Sequence, residues 1–192
     1  FVRPRFDVYR AVSAQIRVAV ANLWRDHYNP LRGLTMRRAV ALLEDETRGA
    51  YADLQWTYRA IEGQDATLGA LVERRTSAIQ QLDWDIKVRN DVPEGKKEVA
   101  ERQRRALKAA YERLENLEDA IENLALASFR GFAHLEKIEE GGAVTRLALV
   151  PQWHWVREGL NGEWQLNAPA TPGTTKGETV DLERFVIREV ER

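Results

Sequence analysis

The feature that most constrains this chain is a change of hydrophobic period near Gly131. Before it, apolar residues recur every three or four positions; after it they alternate, with one earlier alternating stretch at residues 84–88. The first spacing lines one face of a helix and the second lines one face of a strand. The order predicts an α+β fold: N-terminal helices followed by a mostly antiparallel sheet packed with a long helix.

The helical part divides at its own punctuation. Residues 5–27 place Tyr9, Val12, Ile16, Ala19, Val20 and Leu23 on one stripe, with Arg5, Arg10, Arg17 and Arg25 off it, which predicts an amphipathic helix. Asn29-Pro30 ends it, because proline pushes the residue before it out of the helical region. Thr35 has the chemistry of an N-cap, Gly49 is the natural break, and a further helix covers residues 51–61. Asp65 can cap the next helix, whose face reads Leu68, Leu71, Val72, Arg75, Ile79 and Leu82. Trp84, Ile86 and Val88 then alternate with Asp85, Lys87 and Arg89, the pattern of a half-buried strand. Leu107, Ala110, Leu114, Leu117, Ile121 and Leu124 keep helical spacing and predict one long helix with a narrow apolar seam.

Five strands are expected beyond it, at residues 132–139, 144–150, 153–157, 163–166 and 185–190, with Gly141-Gly142 and Asn161-Gly162 as hairpin turns. Residues 167–177 have no periodicity and read as a loop. The expected organisation is an N-terminal helical arm at 1–28 and one α+β domain at 29–192. With 44% hydrophobic residues in 192, there is material for one core or two small lobes. The first residue is Phe1 and the only methionine is Met36, so the numbering is expected to start inside a longer reading frame or after a processed segment.

Charge and composition remove several function classes. Lys plus Arg total 29 against 30 for Asp plus Glu, and a net charge of −1 gives no general pull toward phosphate backbones or anionic membranes. Cysteine is absent and the histidines, His27, His134 and His154, are scattered, which excludes disulfide scaffolds, thiolate chemistry and zinc sites built on Cys and His. No run approaches the ~20 apolar residues of a membrane span.

The search for chemistry returns little. The phosphate-cradling, dinucleotide, zinc-protease and nucleophile-elbow motifs are all missing from the sequence. Asp83 and Asp85 would serve as a carboxylate pair in a hydrolase, but two residues apart on a strand they read as one solvated face. Arg102, Arg104, Arg105, Lys108 and Arg113 would make a phosphate-binding stripe; Glu98, Glu101, Glu112 and Glu115 interleave with them and favour intrahelical pairs. Trp153, Trp155 and Trp164 would make an aromatic platform for a carbohydrate or peptide, or else cover a core or a subunit interface. His154 points away from that face. Arg75 is the odd residue, a charge on an apolar stripe. Buried, it needs a carboxylate, with Glu136 the first candidate for a structural ion pair; otherwise it snorkels to solvent.

Two stretches give the sequence a relative. Asn29 to Thr35 reads N-P-L-R-G-L-T, and Glu62 to Ile86 ends in L-D-W-D-I; Ala125 to Ile138 reads A-L-A-S-F-R-G-F-A-H-L-E-K-I, followed by V-P-Q-W-H-W. In order and spacing these resemble the Mu-like family of tailed-phage portal proteins, over roughly residues 29–190. The resemblance implies a structural subunit without catalytic residues, cofactor or metal, equivalent to the outer, wing-like part, with stem, clip and crown absent. It implies a dodecameric ring with other portal subunits at one capsid vertex, contacts with terminase, capsid and head–tail connector proteins, and non-specific passage of DNA in and out. It further implies residence in the virion, or in the host bacterial cytoplasm during assembly, and no membrane. The runner-up is a carbohydrate- or peptide-binding module using the tryptophan-bearing sheet.

Overall fold

A computed structural model describes residues 29–190; the helix expected at 5–27, and with it the arm at 1–28, lies outside the described residues. Among the described residues five helices precede the sheets, and the strand pairings within the two sheets are antiparallel, so the fold is α+β. The described residues form two compact units, one from residues 29–68 and 151–182, the other from residues 69–150 and 183–190.

In the first unit, α1 (Met36–Arg48) begins where the Thr35 hydroxyl accepts the Arg38 N–H, as its residue type predicts. It ends at Gly49, whose φ of 95° lies in the left-handed region. Glycine is required there twice over, because a Cβ would also lie 1.9 Å from the Arg157 carbonyl oxygen. That close approach is a backbone seam: Arg157 N–H donates to Gly49 O and Gly159 N–H donates to Arg48 O. Helix α2 (Ala52–Gln64) follows at once and buries Ala52 and Leu54. Three short strands, β3 (Trp155–Val156), β4 (Gln165–Leu166) and β5 (Glu178–Thr179), pair in that order. Trp153 and His154, expected to open a strand, belong instead to a 3-10 turn, Gln152–His154, after Pro151.

The second unit holds most of α3 (Ala66–Gln80), then α4 (Lys97–Glu112) and α5 (Leu117–Arg130). Asp65 caps α3 through the N–H groups of Thr67 and Leu68. The single long helix expected across 107–124 is broken between α4 and α5. The cause is tertiary: the Asn116 side chain leaves the helix and clasps the main chain of Leu147, accepting its N–H at 3.0 Å and donating to its C=O at 2.8 Å. Glu115 N–H donates to Thr145 O beside it. The sheet is β2 (Ala143–Val150), β1 (Phe132–Glu140) and β6 (Phe185–Glu189), with β1 central and Gly141-Gly142 making the β1–β2 turn in positive φ. Its core face sets Leu135 and Leu147 against Ala120 of α5, with Leu124, Leu149 and Val186 around them. Each large side chain so buried contributes about 1.5–3 kcal/mol. Residues 84–88 are not a strand: they have no ladder partner and run as irregular backbone ahead of α4.

Candidate functional site

The tryptophans, read as a ligand platform or else as cover for a core or a subunit interface, are mostly internal. Trp155 has no exposed surface, and Trp164, also buried, meets it edge-on with ring centroids 6.4 Å apart. Tyr51 packs on Trp164, and the Arg157 guanidinium lies over the Trp164 ring at 4.4 Å while its Nε donates to the Tyr51 hydroxyl at 2.7 Å. An arginine so held is fixed by ring quadrupole and hydrogen bond together. Trp153 sits in the 3-10 turn, not on the strand, and packs edge-on against Trp56 at 4.8 Å. His154, expected to be incidental, is buried: its Nε2 accepts the Trp153 indole N–H at 3.1 Å. Trp155 and Trp164 are thus part of the core of the first unit, while Trp56 and Trp153 are half-buried.

Arg75 and Glu136 do not meet. Arg75 is exposed on α3, whose inward line runs through Leu68, Val72, Thr76 and Ile79. Leu71, Arg75 and Leu82 form the neighbouring, outward line, and Leu71 and Leu82 are exposed with Arg75. The expected burial and pairing of Arg75 are therefore corrected. Glu136 is buried on β1, and its carboxylate takes Arg184 at 2.7 Å. The strand register explains the partner: Glu136 stands opposite Phe185 on β6, one residue from Arg184. The chain contains Arg184 just ahead of an alternating run, and that position was the signal available in the sequence.

Charge on the second unit is distributed unevenly. Between residues 86 and 113 there are nine Lys or Arg against five Asp or Glu, whereas residues 114–129 hold Glu115, Glu118, Asp119 and Glu122 and no base. The basic stretch is an arm made of α4 and the irregular segment before it. Lys108 Nζ bonds the Asp85 carboxylate at 3.2 Å, and the Trp84 and Tyr111 rings meet edge-on at 6.0 Å. The hydrogen bond from Lys108, its positive charge and the Ile86 N–H hold the Asp85 carboxyl below its ordinary value. Asp85 is thus an anchor for the arm rather than half of an acid–base pair. Between segment and helix runs an open groove of about 560 Å³, lined by Ile86, Val88, Val92, Ala100, Leu107 and Ala110. Of the expected intrahelical pairs, Glu101–Arg104 forms at 2.8 Å, and Lys97 also pairs with Glu94.

Among the described residues no group of three or more His, Cys, Asp or Glu is placed to hold a metal ion, and no helix is long and apolar enough to cross a membrane. Residues 55–192 match the family described as the portal protein of Mu bacteriophage. The Mu-like prophage FluMu protein gp29 of Haemophilus influenzae is 30% identical over 132 residues, covering 67% of this chain. The chain spans only 24% of that relative's length. The family match begins within α2, so the L-D-W and G-F stretches fall inside it and N-P-L-R-G-L-T falls before it.

Proposed function

This chain belongs to the portal-protein family of Mu bacteriophage, and from that premise we propose that it is the outer, wing-like part of a phage or prophage portal subunit. In this reading the complete protein forms a dodecameric ring at one capsid vertex. Terminase drives DNA through the ring into the head, and DNA leaves through it by way of the head–tail connector. The work is mechanical: a ring around moving DNA needs firm subunit contacts and few base contacts. No side chain is assigned a catalytic or cofactor role, and the capsid and connector proteins are the partners. The protein resides in the virion and, during assembly, in the host bacterial cytoplasm.

The observation that carries the proposal is the continuity of the family match, which runs from residue 55 to residue 192 through both units. The surface chemistry agrees with it. A net charge of −1 avoids a wall that would hold DNA and slow its passage, so duplex binding is weak, indifferent to sequence and steeply reduced by salt. The buried Trp155–Trp164 pair removes the main support for a carbohydrate- or peptide-binding module.

Deleting the gene that carries this chain from an inducible prophage tests the proposal. Empty heads lacking a vertex ring, restored by the intact gene in trans, are the expected outcome. Heads that fill with DNA without it would overturn the reading.

A further inference from the structure

Helix α4 has sixteen residues and none of them is buried. A helix of this length draws most of its stability from packing an apolar face. Here Val99, Leu107 and Tyr111 remain 48%, 50% and 42% exposed, with Trp84 beside Tyr111 at 42%. The groove between α4 and the segment before it is therefore only half closed. Its lining includes the cations Lys87, Arg89 and Arg104; Lys87, together with Arg102 and Arg113 elsewhere on and just after α4, makes no ion pair among the described residues.

The matching surface is on the same chain. Glu115, Glu118, Asp119 and Glu122 stand at i, i+3, i+4 and i+7, which puts their carboxylates in one exposed line along the start of α5. None of them forms an ion pair among the described residues. Glu118 and Asp119 lie in the first turn of α5, where carboxylates favour the helix dipole. Glu115, ahead of the helix, lies outside that turn, as does Glu122, whose carboxylate accepts the Gln80 side-chain N–H at 3.2 Å.

We propose that the basic, apolar groove of the α4 arm on one copy receives the acidic line of α5 on the next copy. The two surfaces differ, so the contact is heterologous: each copy offers its groove to one neighbour and its acidic line to the other. Contacts of this kind close into rings when the rotation allows. The inference rests on the portal reading for its biological setting and assigns the side chains of one subunit contact within it. Charge complementarity selects a second copy over an anonymous acidic partner, because a line of carboxylates with no intervening base is already present on every subunit.

The absence of cysteine makes a direct test possible. A tagged chain carrying Leu107→Cys is mixed with an untagged chain carrying Asp119→Cys and oxidised gently. The expected result is the mixed disulfide in clear excess over both homodimers. It should fade at about 1 M salt, where the Debye length is about 3 Å, and fade when the tagged chain also carries Arg102→Glu and Arg113→Glu. Adding Glu118→Arg and Glu122→Arg to the untagged chain should restore it, which a merely misfolded groove variant would not allow. A statistical mixture of the three disulfides, or no restoration, would overturn the contact. Electron microscopy of the complete subunit separates the two claims: rings undisturbed by Arg102→Glu and Arg113→Glu would sink the contact and leave the portal reading standing. A complete subunit that forms no ring with the native residues would count against the portal reading, while the disulfide result would still decide the contact.

Discussion

The Arg184 guanidinium lies 2.7 Å from the carboxylate of Glu136, a residue 5% exposed on the central strand of its sheet. The pair links β1 to the residue preceding β6, so it fastens the late-arriving strand at one end. Arginine suits the position because its planar fork binds a carboxylate while its stem packs. Arg184→Met is expected to cost about 1–2 kcal/mol, less than the ~3–5 of a fully buried pair because the guanidinium side is partly in solvent. Arg75→Met, on the exposed line of α3, should change stability by less than about 0.5 kcal/mol. Urea unfolding of the two variants checks the contrast; equal losses would contradict it.

Gly49→Ala should be among the most damaging single-methyl changes in the molecule. The left-handed φ costs roughly 1–3 kcal/mol for a non-glycine residue. The methyl would also drive apart the α1 terminus and the Arg157 strand entry, where it meets a carbonyl oxygen at 1.9 Å. Loss of the cooperative thermal transition, or a fall of many degrees in Tm, is the expected reading by circular dichroism.

Asn116 holds both main-chain groups of Leu147. Asn116→Leu keeps the bulk and removes both hydrogen bonds, leaving part-buried backbone groups unsatisfied at roughly 1–3 kcal/mol. Amide exchange at Leu147 should accelerate more than exchange at Leu135 on the central strand. Uniform acceleration would show that the clasp has no local role.

The Asp85–Lys108 contact should weaken in acid. Because the carboxyl is held below its ordinary value of 3.8, it favours the folded arm at neutral pH and loses this effect as pH falls through the lower, folded value. A carbon-13 titration of the Asp85 carboxyl should therefore give a midpoint below 3.8, moving back up in Lys108→Met. An unchanged midpoint in that variant would remove Lys108 as the cause.

Local signals in the sequence translated directly into structure. Thr35, Asp65 and the Gly141-Gly142 turn, and Gly49 in its role as a helix end, act within a few residues of themselves, so residue type suffices to place them. Distant partners were invisible. The helical seam runs on through residue 116 because side-chain periodicity carries no record of the Leu147 backbone, 31 residues away, that breaks it. Alternation at 84–88 predicted a strand, whereas the segment has no ladder partner and lines a groove with a helix face. On α3 the polar Thr76 sits on the buried line and the apolar Leu71 on the exposed one, and Leu82, beyond the helix end, is exposed too, so the apparent stripe pointed to Arg75. Glu136 was named only as a partner for Arg75; its pairing with Arg184 follows from the register of β6.

The interleaving of the two units along the chain has a consequence for how the protein is made. The first unit opens before residue 69 and resumes at 151, and the second resumes at 183. A ribosome must therefore release the whole of the second unit's helices and hairpin before β3 exists to close the first. β1 then waits for its neighbour β6 until some fifty residues later, at Phe185. Such delayed, long-separation pairing slows folding and exposes an unpaired strand edge in the meantime. It also means that the peptide chain passes between the units three times, so one proteolytic nick cannot part them, whereas a single-linker pair would separate at the first cut.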